Sequence, residues 1–180
     1  MIKTGISMAT NTCLKEWNAT VEALGNGRQT ILIRKYKTHI NEFLLYPTVT
    51  YTSKNNYLDS FQDKYRDFVK LNSLPDKKEN KVLIKYFAML DKIVKKPVSK
   101  ISDKYFIWTA KHVKSYAART AYIWILRVYK LKEPYWAGPK TGTMTFAHLK
   151  DEVSLEGMEP VLSDYEYSEI IKQWDGDKVR

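Results

Sequence analysis

The stretch YIWILRVYKL, at residues 122–131, is the clearest strand signal in the chain. Aromatic and β-branched side chains dominate it, and these residue types pack well on a pleated sheet. Pro134 follows three residues later and is expected to end the strand, because proline cannot donate a ladder hydrogen bond. We therefore expect a well-buried β-sheet at the centre of the fold.

Shorter apolar runs on both sides of this stretch predict the rest of the sheet. Residues 82–94 fit either a helix or a strand by periodicity, and we interpret them as a strand. Pro47 is expected to stop the strand that precedes it, and residues 36–41 have the length of a hairpin loop. The other predicted strands are residues 29–35 (QTILIRK), 42–46 (EFLLY) and 145–149.

Helical spacing of apolar residues and capping residues predict four helices between these strands. The first two are predicted at residues 14–24 and 58–71. Thr109 is expected to cap a third helix that ends near residue 118, and Ser163 is expected to cap the last one. Interleaved helices and strands with irregular connections indicate an α+β fold, either a mixed sheet or a small, partly open five-stranded β-barrel with helices packed outside.

The length of 180 residues fits one domain. We interpret residues 1–13 as a flexible N-terminal arm, residues 14–150 as the core domain, and residues 151–180 as an acidic C-terminal segment that contains a helix. A single cysteine, Cys13, excludes an internal disulfide and favours a reducing compartment. No apolar run approaches the roughly 20 residues that cross a bilayer, so we expect no membrane contact and a cytoplasmic protein.

Charge is strongly segregated along the chain, which has a formal net charge of +10. Residues 92–132 contain eleven Lys or Arg and a single acid, whereas residues 151–177 contain nine acids and a single Lys. A polyanion would be attracted to the first segment and repelled by the second. The alternative is that the two segments face each other inside the fold.

Several blocks of sequence resemble a known prokaryotic family. The blocks are Glu22-Ala23-Leu24-Gly25, the segments at residues 27–30 and 42–48, and LRVYKL at residues 126–131. Together they resemble a domain-of-unknown-function family (number eighteen-oh-two) from about residue 14 to residue 149. The chain departs from that family after Lys35, where the family has a longer glycine-containing loop. The resemblance implies no activity, because the family has none assigned.

The segment at residues 27–34 is also similar to the Gly-x-Lys-Thr-x-Glu-x-Arg strand of ASCH domains. These belong to the PUA-like barrels, which bind RNA or modified nucleobases. Thr30 and Arg34 match the pattern, but Gln29 stands where the pattern has Lys, and Leu32 stands where it has Glu. The resemblance implies a PUA-like fold and nucleic-acid binding. It does not support hydrolysis, since the two departures fall on the residues expected to do chemistry.

Three groups of residues are candidates for contact with nucleic acid, because Arg and Lys meet phosphates and exposed aromatic rings stack on unpaired bases. For each group the alternative is an ordinary solvated or core-packed role. The first group lies at and around the ends of the predicted strand at residues 29–35. The second lies on and beside the predicted third helix, and the third belongs to the Gly/Pro loop at residues 136–143. Their members are Arg28, Arg34, Lys35, Tyr36 and His39; Trp108, Lys111, Lys114 and Arg119; and Trp136 and Lys140.

No catalytic or metal-binding constellation is present in the sequence. The three histidines are scattered, a single cysteine accompanies them, and no nucleophile motif occurs. We therefore expect a nucleic-acid-binding module that prefers RNA or a single-stranded or modified base, without catalysis, cofactor or metal. The alternatives are an ASCH-like hydrolase acting on a nucleotide or small amide, and a protein-interaction module whose acidic C-terminal segment binds a partner.

Overall fold

The computed structural model describes residues 8–140 and 144–175. Within them, eight strands and four α-helices alternate along the chain, with short 3-10 turns between them. Their bounds are β1 Ala9–Trp17, α1 Asn18–Gly25, β2 Ile31–Arg34, β3 Glu42–Thr48, α2 Arg66–Leu71, β4 Lys77–Lys78, β5 Lys81–Pro97, α3 Ala110–Ala117, β6 Thr120–Ala137, β7 Phe146–Ser154, β8 Glu159–Pro160 and α4 Asp164–Lys172.

The two longest strands, β5 and β6, form an antiparallel pair from Val82↔Ala137 to Pro97↔Thr120. Residues 82–94 are thus a strand, as predicted. The expectation that Pro134 ends the other strand is wrong, because β6 continues to Ala137. Pro134 lies beside a register shift in the ladder, where the missing N–H of proline is tolerated.

The six main strands form one mixed sheet in the order β2-β6-β5-β3-β1-β7. β1 and β3 are parallel, whereas the other neighbours are antiparallel. The predicted α+β class with a mixed sheet is confirmed. Within the described residues the outer strands β2 and β7 do not pair with each other, so the sheet is open rather than closed into a barrel. It is nevertheless curled, since the rings of Trp124 in β6 and Phe146 in β7 stack at 6.2 Å.

Two predictions about the connection between β2 and β3 are wrong. Residues 36–41 are not a hairpin loop, because β6 and β5 lie between these two strands in the sheet. Pro47 does not stop the strand either, and its Cα partner in β1 is Glu16. Beyond Leu44, β3 has no partner in β5, so a proline there interrupts no ladder on that side.

The N-terminal prediction is also corrected. Residues 14–17 belong to β1 rather than to the first helix, and α1 begins at Asn18. Residues 9–13 are likewise paired with β7 and are not a flexible arm, whereas residues 1–7 lie outside the described residues. The apolar spacing of Leu14 and Trp17 fits a helix locally, but pairing with β3 and β7 gives this segment two hydrogen-bonded neighbours.

The later helices agree better with prediction. Thr109 Oγ1 accepts a hydrogen bond from the backbone N–H of His112, and Ser163 forms a capping box with Glu166. The helix predicted at residues 58–71 begins as two 3-10 turns, and only its second half, from Arg66 to Leu71, is α-helical. No helix in the described part of the chain is long and apolar enough to span a membrane.

The sheet is buried on both faces. Successive residues of a strand point to opposite sides, and here each side packs into a core of its own. Leu14 and Leu45 belong to the main core, whereas their neighbours Cys13 and Leu44 belong to a smaller core on the other face. The acidic C-terminal segment joins both cores through residues that include Trp174, which is 1% exposed, and Leu155. β7 runs through residue 150, where the sequence suggested a boundary.

Candidate functional site

A cleft of about 730 Å³ opens where several strand ends meet α3. β1 and β3 are parallel, so their carboxyl ends lie at the same edge of the sheet and line the cleft together. The end of β2 reaches the same place because the sheet is curled. Within the described residues, the lining is completed by the loop after β3, the β4–β5 turn, α3, and Pro139, Lys140, Met144 and Thr145.

A buried ion pair between Arg34 of β2 and Glu16 of β1 lies in this lining. The two side chains are only 10% and 8% exposed. Arg34 Nη1 also donates to the carbonyl of Ile33 at 3.1 Å, and Glu16 Oε1 accepts from the backbone N–H of Trp17 at 2.9 Å. Two charges are therefore held in fixed orientations with little water around them, which strengthens their electrostatic interactions.

Aromatic side chains form one wall of the cleft. Trp17 stacks on Tyr51 with ring centroids 4.8 Å apart, and His112 lies 5.4 Å from Trp17. Trp108 follows at 6.3 Å from His112. Burial lowers the pKa of His112 from 6.5, so this imidazole is neutral at pH 7. The wall therefore lines the cleft with aromatic rings and an uncharged imidazole.

Hydrogen bonds hold the opposite rim in place. Tyr46 OH donates to the carbonyl of Gly138 and accepts from the backbone N–H of Lys140, both at 3.0 Å. Tyr36 OH and Thr145 Oγ1 share a 2.8 Å hydrogen bond. These bonds attach the loop after β6 to the ends of β2 and β3. The described residues that line the cleft include four cationic side chains and two carboxylates, namely Lys15, Arg34, Lys77 and Lys140, and Glu16 and Glu79.

Members of all three predicted groups meet in this cleft. They are Arg34 and Tyr36 from the first group, Trp108 from the second, and Lys140 from the third. Trp108 is 5% exposed, so it is a wall residue and not a free stacking ring. Lys35 lies beside the cleft, with its Nζ 4.9 Å from the ring centroid of Tyr116, which itself lines the cleft.

The remaining predicted residues do not line the cleft. Arg28 packs its guanidinium 4.4 Å from the ring centroid of Phe68 and borders a separate groove of about 220 Å³. Trp136 is half-buried and faces Leu83 in the β5–β6 ladder. Residues 141–143 of the predicted loop lie outside the described residues. The other four side chains are exposed on the surface, namely His39, Lys111, Lys114 and Arg119.

Described residues of the C-terminal segment form ion pairs with two cations of the basic segment. Asp175 is 3.3 Å from Lys92, and Asp164 is 3.0 Å from Arg127. The alternative in which the two segments face each other therefore holds for these two cations. Lys111 and Lys114, in contrast, project from α3 next to the cleft and are exposed.

Sequence reasoning missed several cleft residues, above all Glu16 and Trp17. The reason is the misassigned helix, because a strand that ends at residue 17 would have directed attention to its carboxyl end. The alternation of Thr10, Thr12 and Leu14 is the signal that could have identified the strand. His112 was considered only as a metal ligand. Among residues 8–140 and 144–175, no group of three His, Cys, Asp or Glu side chains could hold a metal ion.

An ASCH-like hydrolase would need a polar pocket beside Thr30 of the motif, and the large cleft does not reach this residue. Thr30 borders only two smaller cavities, of about 10 and 220 Å³, and not the large cleft. Leu32 is completely buried in the main core. The matched residue that reaches the large cleft is Arg34.

The sequence matches the family model described as "Domain of unknown function (DUF1802)" over residues 13–173. In structure, the chain is similar to the ASCH protein of Zymomonas mobilis at 13% sequence identity and a TM-score of 0.46, with 89% of this chain and 93% of that chain covered. A single-substitution variant of that protein matches at the same identity and TM-score and covers 93% of this chain and 99% of that chain. No curated protein matches the sequence.

Proposed function

This chain belongs to the DUF1802 family, as its sequence blocks predicted, and we propose that it is a nucleic-acid-binding module without catalytic activity. RNA or single-stranded DNA is the proposed partner, with one unpaired base entering the cleft. The family description assigns no activity, so the proposal depends on the chemistry of the cleft alone.

The observation that carries the proposal is the combination of aromatic rings and cations around one cavity. Its volume of about 730 Å³ lies within the range of roughly 300–1,000 Å³ typical of small-ligand sites. Aromatic faces bind any unpaired base by stacking, and Lys and Arg bind the phosphates beside it. Duplex DNA would not fit, because its bases are paired and stacked inside the helix.

Exposed cations next to the cleft extend this surface. Lys35 follows β2, and Lys111 and Lys114 lie on one face of α3 because they are three residues apart. Arg119 follows two residues after the end of α3. These side chains would contact the phosphates of the nucleotides that flank the bound base.

The proposal is tested by fluorescence anisotropy with labelled single-stranded RNA, single-stranded DNA and duplex DNA over a series of salt concentrations. Affinity should be highest for the single strands and should fall linearly with salt on a logarithmic scale. Undetectable binding of all three at low salt would refute the proposal.

Three alanine variants locate the site. Lys140→Ala should weaken binding and reduce the salt slope by about one, because it removes one phosphate contact. Tyr36→Ala should weaken binding at every salt concentration, since it removes a stacking ring worth about 1–3 kcal/mol. Lys132→Ala is the matched control: it removes the same charge beside Gly157, on the acidic part of the surface. Equal losses for Lys140→Ala and Lys132→Ala would mean that only the net charge matters.

The third function considered from the sequence, a protein-interaction module, stays a prediction for the acidic segment. Tyr165 of α4 is 74% exposed beside exposed carboxylates and would be part of such a surface. Deleting this segment is not a clean test, because Trp174 is part of the main core.

A further inference from the structure

The buried Glu16–Arg34 pair lies in the lining of the cleft, where a bound base would meet it. An ion pair that only stabilised the fold could be replaced by apolar side chains with little loss, because burying two charges is unfavourable. Because the pair lies in the lining of the cleft and both side chains can form further hydrogen bonds, it can also bind a ligand. We infer that this pair selects guanine, an inference that rests on the proposed function of the cleft.

Counting hydrogen bonds identifies the unused capacity. Each carboxylate oxygen of Glu16 accepts one bond within the described residues, one from Arg34 and one from the N–H of Trp17. A carboxylate oxygen can accept two, so one place remains on each. Among the described residues, Arg34 donates to Glu16 and to the carbonyl of Ile33, so three of its five N–H groups have no partner there. The pair therefore offers two acceptors next to a fork of donors.

Guanine has the complementary edge. Its 2-amino group and N1–H are adjacent donors that match the two oxygens of Glu16, and its O6 is the next atom along the edge and accepts from Arg34. Adenine and uracil can form only two bonds of this kind with the pair. Cytosine can form three by using Arg34 twice, but its single ring stacks over less of the aromatic wall. Guanine alone combines three hydrogen bonds with the larger ring face of a purine.

The rest of the cleft is consistent with this orientation. The rings of Trp17, His112 and Trp108 line the same cleft as the ion pair. His112 lies close enough to Glu16 for the carboxylate to act on its pKa, although burial dominates and keeps the imidazole neutral. Lys15 and Lys140 also line the cleft and would bind the phosphate of the same nucleotide.

The inference is tested with nonamer RNAs that have a single variable base at the centre of an oligouridine strand. The central base is guanine, hypoxanthine, adenine, cytosine or uracil, and binding to the intact chain is measured by anisotropy. The guanine strand should bind most tightly. Hypoxanthine differs from guanine only by lacking the 2-amino group, so its strand should bind about tenfold more weakly, the loss expected for one hydrogen bond to a charged group.

The outcomes separate the two proposals. Equal affinity for all five strands, or for guanine and hypoxanthine, would overturn the guanine inference and leave nucleic-acid binding intact. Absence of binding to every strand would refute the proposed function itself. Glu16→Gln should abolish the difference between guanine and hypoxanthine, because an amide offers a single acceptor oxygen. The comparison of strands on the natural chain needs no variant and decides the question even if Glu16→Gln does not fold.

Discussion

Replacing Glu16 by Gln should destabilise the protein severely. The substitution keeps the shape of the side chain but leaves the guanidinium of Arg34 with little solvent and no counter-charge. Breaking a buried pair by removing one partner costs about 3–5 kcal/mol. That is a large part of the roughly 5–15 kcal/mol that separates folded from unfolded domains. For a chain of this size, the loss corresponds to a fall in Tm of about 6–20 °C.

The assay is urea unfolding followed by tryptophan fluorescence, with the free energy of unfolding measured for Glu16→Gln, Arg34→Met and the double variant. The double variant should cost less than the sum of the two single variants, because it leaves no unpaired buried charge. Glu169→Gln is the control, since it removes the partner of an exposed pair with Lys172 and should cost less than about 1 kcal/mol. A loss from Glu16→Gln as small as that of the control would refute the view that the cleft pair is desolvated.

Three further substitutions or measurements test the packing around the sheet. Gly25→Ala should lower the free energy of unfolding by at least about 2 kcal/mol, because the added Cβ would overlap the ring of Tyr86. Gly138→Ala is the matched control, since nothing lies within 4 Å of the added Cβ. Equal midpoints of urea unfolding for the two variants would contradict the packing. Burial raises the pKa of Cys13 to about 12. The thiol should therefore react with an alkylating reagent at pH 8 only as fast as the protein unfolds. Rapid labelling of the folded protein would contradict the burial of Cys13. Because the pKa of His112 is lowered in the folded protein, the unfolded state binds more protons, and stability should be lost as the pH falls below about 6.5. The Tm of His112→Gln should therefore decline less between pH 7 and pH 5 than that of the natural protein. Identical pH profiles would show that His112 is not the group responsible.

The fold class was predictable because its signals are local. The apolar run of β6 identifies a strand from residue types alone, whereas the periodicity of β5 also fits a helix. The caps Thr109 and Ser163 identify helix starts from single side chains. The residues at which the strands end were less predictable. Pro47 and Pro134 predict strand ends, yet both lie where at least one neighbouring strand does not need a hydrogen bond from their backbone nitrogen. Whether a proline ends a strand thus depends on its partner strand, which local sequence does not reveal.

The cleft was predictable only in part, for a related reason. Arg34, Tyr36 and Lys140 were found because cations and aromatic residues near predicted strand ends are visible in the sequence. Glu16 was not found, because it was assigned to a helix.

Residue types and their order along the chain are enough to predict an α+β domain with a basic segment, an acidic segment and many aromatic residues. Composition and the spacing of apolar residues are properties of the local sequence, so they do not depend on which strands pair with each other. The pairing of Glu16 with Arg34, and of Tyr36 with Thr145, 109 positions further along the chain, follows only from the three-dimensional fold. Such contacts arise from the parallel pairing of β1 with β3 and the curl of the sheet, which depend on long-range packing and have no local signature.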